Sequence, residues 1–166
     1  SAASDVYKRQ VMMSFIYQIR ELQNGGEFVV LLFLAAWGND TLAYCTGMLI
    51  GKHKMSPILS PKKSIEGLVG GIVGAAILGA LYGLYLNTYI RFSFNPVTMF
   101  PIVCGLSGAV SVIGDLAASA IKRDSGIKDY GTLIPGHGGI LDRFDSIIFI
   151  APVIYYLTVM ISGGAI

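Results

Sequence analysis

The chain has 166 residues, a length that allows a single domain, and 54% of them are hydrophobic while only 13% are charged. Soluble globular domains carry charge on about a quarter of their residues, so this composition excludes an ordinary soluble globule. The formal net charge is +2, and no segment interleaves basic with aromatic residues, which argues against nucleic acid as a partner.

The N-terminal residues do not resemble the rest of the chain. Residues 1–10 lack the apolar core of a signal peptide, and we interpret them as a non-native-looking leader. Residues 11–26 form an amphipathic stub that ends at a Gly-Gly pair. Residues 27–166 are predicted to form one membrane domain.

Four apolar segments approach the length that spans a bilayer, which is about 20 mostly apolar residues. They run over residues 28–50, 67–90, 97–121 and 147–162, and the last is the shortest. The predicted fold class is therefore an all-α integral membrane protein, a polytopic helical bundle with about four spans.

Basic residues in the short loops predict the orientation, because positively charged loops stay on the cytoplasmic side. The loop over residues 51–64 has four lysines, and the loop after the third span has four basic residues. The loop between the second and third spans has only Arg91. Both charged loops are expected to face the cytoplasm from a bacterial-type cytoplasmic membrane and to form the functional site.

The second span is rich in glycine. Gly67 with Gly71, and Gly70 with Gly74, form small-xxx-small pairs that let two helices approach closely. Such pairs fit packing within the bundle or at the seam of a homodimer, and the sequence alone leaves both open.

Three carboxylates fall where lipid would exclude them. Asp40 lies in the first span, Asp115 in the third, and Asp142 at the start of the fourth. An aspartate inside a membrane is costly, so each is expected to face a polar cavity. Asn39 and Asp145 lie near them in sequence, which favours one shared aqueous site.

Helical spacing groups these acids with other polar side chains. Asp115, Ser119 and Lys122 follow at i, i+4 and i+7 on one face of the third span, and Arg123 extends the same stripe. The face therefore carries an acid, a hydroxyl and two cations.

The fourth span begins with a second acidic pair, Asp142 and Asp145, at a helix N-terminus that favours anions. Two helices can thus offer carboxylate oxygens toward one point. Such a ligand set suits Mg²⁺ or a metal pair.

Two loops offer groups that can bind phosphate. The first contains Pro135 and the glycines Gly136, Gly138 and Gly139, which make a loop whose backbone amides can approach a phosphate without side-chain obstruction. His137 could bind phosphate, act as an acid or hold the loop in shape. The pattern is not a P-loop, since it lacks the lysine and the preceding strand.

The other loop reads Ser-Pro-Lys-Lys-Ser over residues 60–64. Lys62 and Lys63 supply paired cations, while Ser60 and Ser64 could cap the second span or bind phosphate oxygens. A solvated basic loop beside anionic lipid headgroups is the simpler alternative.

The run from Ser119 to Asp145, which contains SAIKR, KDYG, IPGHGG and LDRFD, is similar throughout to the motif of phosphatidate cytidylyltransferases, also called CDP-diglyceride synthases. The order of WGNDTLAY, GKHK, SPKKSIEG and GD upstream resembles the same family, and the resemblance covers about residues 20–160. The additional N-terminal membrane helices of the family are missing here. Residues 27–166 are therefore expected to be its membrane catalytic domain, the C-terminal portion of a longer family chain.

The resemblance implies transfer of CMP from CTP to phosphatidic acid, which gives CDP-diacylglycerol and pyrophosphate in phospholipid biosynthesis. It implies Mg²⁺ held by Asp115 and Asp142, with a second metal ion as an alternative. CTP, phosphatidic acid and membrane lipid are the partners expected, and nucleic acid is not. The predicted catalytic residues are Asp115, Lys122, Arg123, Asp142 and Asp145.

Four basic residues are expected to bind phosphates, without assignment to CTP or to lipid: Lys122, Arg123, Lys128 and Arg143. Asn39 and Asp40 are placed in the polar cavity to contact nucleotide or orient a cation. Together, the predicted ligand-binding residues are Asn39, Asp40, Ser60, Lys62, Lys63, Ser119, Lys128, His137, Gly138, Gly139 and Arg143.

Two other functions compete with this interpretation. A CTP-dependent lipid kinase of the polyprenol or phytol type would also need a metal, a nucleotide loop and a membrane cavity, but the long motif argues against it. An ion-coupled transporter could use intramembrane Asp40 and Asp115, yet the two charged loops share no repeat pattern.

Overall fold

The computed structural model describes residues 2–56, 60–124 and 141–163. The helices and strands in these ranges follow one another as α1 (Ala2–Glu21), α2 (Gly25–Ile50), β1 (Lys54–Ser56), β2 (Ser60–Ser64), α3 (Ile65–Asn87), α4 (Pro96–Asp124) and α5 (Leu141–Ile161). The predicted all-α architecture is confirmed, with a short antiparallel hairpin of β1 and β2 as its one addition within these ranges.

Among the described residues, three helices are long and apolar enough to cross a membrane: α2, α3 and the portion of α4 over Pro96–Ala117, with mean hydropathies of 1.5, 1.9 and 1.9. The apolar part of α5, Ser146–Ile161, is shorter, as the sequence predicts for the fourth segment. The chain is an integral membrane protein in which α2, α3 and α4 begin and end within a few residues of the first three predicted spans, while α5 begins before the fourth.

The first helix, α1, packs against α5 and α2. Ile19 is fully buried there, and the ring of Phe15 lies 5.4 Å from that of Tyr155. The division of the N-terminal residues into a leader (1–10) and a stub (11–26) stays a prediction.

The central helix of the bundle is α3, which contacts α2 on one side and α4 on the other. Its buried residues repeat every three or four positions and are almost all small: Gly67, Gly71, Ala75, Gly79, Gly83 and Leu86. Because the glycines have no side chain, the neighbouring backbones come close enough for direct van der Waals contact.

The first two glycine pairs of α3 face α2 within the same chain. A Cβ added at Gly71 would lie 2.8 Å from the Ala43 Cβ, and one at Gly74 would meet the Leu42 side chain. One added at Gly67 would come within 2.7 Å of the Ala43 carbonyl oxygen. Of the two alternatives left open by the sequence, packing within the bundle accounts for these positions.

The far half of α3 faces α4. A Cβ added at Gly79 would lie 2.7 Å from the Phe100 carbonyl oxygen, and one at Gly83 would lie 2.5 Å from the Pro96 carbonyl oxygen. The two helices are therefore antiparallel, and α4 returns toward the end of the bundle where the hairpin lies.

The hairpin is fixed where it enters α3. The Ser64 hydroxyl accepts a hydrogen bond from the Gly67 amide at 3.1 Å and so caps the helix. The Ile65 amide donates to the His53 carbonyl oxygen at 3.0 Å, and His53 Nδ1 lies 2.6 Å from a Glu66 carboxylate oxygen. These contacts set the position of β2 relative to the membrane helices.

We expect Gly83→Ala to lower the free energy of unfolding by about 1–3 kcal/mol, because the new methyl group would collide with the backbone of α4 rather than with a movable side chain. Thermal or chemical unfolding of the purified protein in detergent measures the change. Gly26→Ala is the matched control, since a Cβ there meets nothing within 4 Å. Equal stability of the two variants would contradict close α3–α4 packing.

Candidate functional site

A cavity of about 270 Å³ lies between α2, the start of α3, the middle of α4 and the hairpin. It brings together polar residues from segments that are far apart in the sequence. Its lining consists of Asn39, Asp40, Ala43, Tyr44, Gly47, Met55, Lys63, Ser64, Gly67, Leu68, Val112 and Asp115.

Asp115 is held by partners on two other elements. The Lys63 ammonium on β2 donates to Asp115 Oδ2 at 2.7 Å, and the Ser146 hydroxyl on α5 donates to Asp115 Oδ1 at 2.8 Å. The Lys63 and Asp115 side chains are only 32% and 18% exposed. Both oxygens of this carboxylate are therefore engaged, in a place where water screens the charges poorly.

Asp40 shares one of these partners. Its Oδ2 lies 3.3 Å from the Ser146 hydroxyl oxygen, so Ser146 stands between the carboxylates of α2 and α4. A hydroxyl has one proton to donate, and two neighbouring carboxylates repel each other unless a cation offsets their charge. Lys63 is the cation that the described lining of the cavity supplies.

Asn39 lies where α2, α3 and α4 meet. Its side chain is 1% exposed, and its Oδ1 would lie 2.8 Å from a Cβ at Gly71 and 3.0 Å from one at Gly108. Neither amide atom makes a hydrogen bond within the described part of the chain. Small residues on both neighbouring helices thus allow a polar side chain into the centre of the bundle.

Five of the residues predicted from the sequence have described side chains. The structure brings four of them, Asn39, Asp40, Lys63 and Asp115, to one cavity. The fifth, Ser119, lies one helical turn after Asp115 on α4 and is partly exposed.

The other predicted residues cannot be tested by contacts. Lys128, His137, Gly138 and Gly139 lie outside the described residues. The remaining members lie on described elements, but their side chains lie outside the description: Ser60 and Lys62 on β2, Lys122 and Arg123 on α4, and Asp142, Arg143 and Asp145 on α5. Their roles stay predictions.

The donor set fits a hard divalent cation such as Mg²⁺, which prefers carboxylate and other oxygen ligands. Asp115 and Asp40 direct carboxylate oxygens toward the same hydroxyl and line the same cavity. Within the described residues no cluster of three or more His, Cys, Asp or Glu side chains forms. Of the two predicted metal ligands, Asp115 has a described side chain, whereas the side chain of Asp142 lies outside the described residues.

Sequence reasoning missed Ser146 as a site residue and missed the partner of Lys63. Ser146 follows Asp145 directly and lies at i+4 from Asp142, so the helical spacing that grouped the acids could have included it. The ion pair of Lys63 with Asp115 joins residues 52 positions apart, and no spacing rule indicates such a contact.

The fold and the site define a polytopic membrane protein with a cavity lined by carboxylates and a lysine. The chain matches the Cytidylyltransferase family over residues 6–161 and belongs to that family, as its motifs indicated.

Several relatives named phosphatidate cytidylyltransferase are similar to this chain. That of Staphylococcus saprophyticus subsp. saprophyticus is 37% identical over 91% of this chain and 56% of its own length. That of Staphylococcus haemolyticus is 36% identical over 90% and 55%, and that of Staphylococcus aureus strain COL is 40% identical over 87% and 53%. The chain thus spans about half the length of the curated relatives it matches.

We expect Ser146→Ala to lower the free energy of unfolding by about 1–3 kcal/mol, because two poorly exposed carboxylates lose a shared donor. Ser107→Ala is the matched control: Ser107 is fully buried, and its hydroxyl makes no hydrogen bond within the described residues. Removing it should be neutral or stabilising. Unfolding in detergent checks both, and a larger loss for Ser107→Ala would contradict the role given to Ser146.

Proposed function

We propose that this chain transfers the CMP group of CTP to phosphatidic acid, giving CDP-diacylglycerol and pyrophosphate. The observation that carries the proposal is the convergence of Asp40, Lys63 and Asp115 from three elements at one cavity of a membrane protein, with the Ser146 hydroxyl of α5 bound between the two acids. Membership of the Cytidylyltransferase family supplies the reaction class. The relatives named phosphatidate cytidylyltransferase supply the lipid acceptor.

The reaction depends more on offsetting the negative charges of the phosphates than on a general base. A phosphate oxygen of the lipid attacks the α-phosphorus of CTP, and the bond from that phosphorus to the oxygen bridging to the β-phosphorus breaks. Pyrophosphate leaves with the bonding electron pair. Because the attacking oxygen is already anionic, no strong general base is needed, and the barrier lies in bringing anions together in line.

The described residues are suited to that task. Lys63 provides a positive charge at the cavity, where a low dielectric strengthens its attraction for phosphate oxygens. The Ser146 hydroxyl orients Asp115 and lies beside Asp40, so the two acids keep their relative positions. Glycine at position 67 leaves the cavity wall free of a side chain next to the Ser64 hydroxyl.

Mg²⁺ is the cofactor we propose, with Asp115 and the predicted ligand Asp142 to hold it and Asp40 as an additional carboxylate of the same cavity. When bound, it would offset the charge of the reacting phosphates and of the departing pyrophosphate. The residues of the chain bind, orient and separate the anions around it.

We further propose that the cavity opens to the cytoplasm. The hairpin beside it belongs to the lysine-rich loop, whereas the connection from α3 to α4 at the other end carries Arg91 as its basic residue. This distribution follows the rule that positively charged loops remain cytoplasmic. The cations at the end of α4 and the start of α5, Lys122, Arg123 and Arg143, belong to the same side and are proposed to bind phosphates, together with Lys128 and His137.

Transfer of label from CTP into extractable lipid tests the proposal. The purified chain in detergent receives phosphatidic acid, Mg²⁺ and CTP labelled at either the α- or the γ-phosphorus, and label in the lipid is expected from the α-position alone. Label from the γ-position would instead indicate a lipid kinase. No transfer from either position, while the relative from Staphylococcus aureus strain COL is active in the same assay, would contradict the proposal.

Asp115→Asn is expected to lower the transfer rate by at least roughly a hundredfold, because the variant loses a charged oxygen at the point where the site must offset phosphate charge. Glu21→Gln removes the same charge from an exposed position at the end of α1 and should leave the rate unchanged. Initial rates at saturating CTP make the comparison. Comparable rates for both variants would remove Asp115 from the proposed site.

A further inference from the structure

The ion pair between Lys63 and Asp115 occupies a carboxylate oxygen that the proposed reaction needs as a metal ligand. Asp115 Oδ2 accepts from the Lys63 ammonium, and Oδ1 accepts from the Ser146 hydroxyl. A divalent cation bound directly to this carboxylate would stand beside the ammonium at a distance where like charges repel strongly. The ammonium and the metal ion therefore compete for Asp115.

The ammonium also has a purpose in the absence of metal. Asp40 and Asp115 lie on either side of Ser146, and both carboxylates face a cavity in which Lys63 is the described cation. Two neighbouring carboxylates repel each other, and a positive charge beside them offsets part of that repulsion. Lys63 supplies that charge when no metal ion does.

Lys63 is placed so that its side chain can leave while its backbone stays. It immediately precedes Ser64, which caps α3, and Ile65, whose amide bonds to the His53 carbonyl oxygen. The backbone is thus fixed on the C-terminal side of Lys63. Its four-carbon side chain is flexible and 32% exposed, so rotation about its own bonds can carry the ammonium from Asp115 into the cavity.

We propose that Lys63 occupies Asp115 in the metal-free protein and moves to an anionic phosphate in the cavity when a divalent cation binds to Asp115. The destination on a substrate phosphate rests on the proposed function, whereas the competition for Asp115 rests on the ion pair itself. By linkage, a phosphate that attracts Lys63 away raises the affinity for the metal, and the metal raises the affinity for the phosphate by the same factor.

Binding of Mn²⁺ to the purified chain in detergent, without nucleotide or added lipid substrate, tests the competition. The free Mn²⁺ signal in electron paramagnetic resonance gives the affinity directly. Lys63→Gln is expected to bind Mn²⁺ roughly tenfold more tightly than the unchanged chain, because the competing ammonium is gone. Unchanged or weaker binding would overturn the inference.

Lys54→Gln is the matched control. Lys54 lies on β1 of the same hairpin and is exposed, so the variant removes an equal charge without removing the contact to Asp115. It should bind Mn²⁺ as the unchanged chain does. Equal tightening in both variants would show a general effect of loop charge and would overturn the inference of direct competition.

Two further variants keep the test decisive if Lys63→Gln unfolds. Lys63→Arg retains a cation that pairs well with a carboxylate, so its Mn²⁺ affinity should equal or fall below that of the unchanged chain. Tighter binding by this variant would overturn the inference. Asp115→Asn should lose the Mn²⁺ site, and full retention of binding would equally overturn it.

The outcome is separable from that of the transfer assay. Tighter Mn²⁺ binding by Lys63→Gln, found together with no transfer of label by the unchanged chain while the Staphylococcus aureus relative is active, would support the competition and contradict the proposed reaction. Cytidylyl transfer by the unchanged chain, with Mn²⁺ affinity unaltered in Lys63→Gln, would contradict the role of Lys63 alone.

Discussion

The ion pair of Lys63 with Asp115, together with the Ser146 hydroxyl, is the interaction on which the site depends. A carboxylate inside a membrane helix is tolerated only if charge and hydrogen-bond partners accompany it. Here the partners come from β2 and α5, while the acid comes from α4. Meeting this requirement forces three separate parts of the chain together, and the cavity forms where they meet.

Close approach of the helices is the second requirement, and the glycines of α3 meet it. The row that begins with Gly67 and Gly71 removes the side chains that would hold α2 away. Asn39 can then lie between Gly71 and Gly108 in the centre of the bundle, directly before Asp40 in the sequence. A polar site inside an apolar protein thus depends on residues that have no polar groups of their own.

The opposite end of the bundle uses polar residues for a different purpose. The Tyr82 hydroxyl donates to a Glu27 carboxylate oxygen at 2.5 Å and joins α3 to the start of α2. Nearby, the rings of Phe28, Phe92 and Phe100 pack at tilted or edge-to-face angles. These rings form part of the core at this end, whereas the cavity lined by Asp40, Lys63 and Asp115 lies at the hairpin end.

Composition, hydropathy and the long charged motif were enough to predict an all-α membrane bundle of the Cytidylyltransferase family, because apolar length and motif spacing are properties of the local chain. The energetic cost of a carboxylate in a membrane span also identified Asp40 and Asp115 as site residues, because an acidic residue within an apolar segment can be recognised from the sequence. Only the tertiary structure shows which basic residue pairs with which acidic residue. Lys63 reaches Asp115, and Ser146 joins both acids, because α3 and α4 fold back antiparallel and α5 packs against α4 and α2. Contacts between distant segments depend on how helices pack, and packing is a property of the whole bundle.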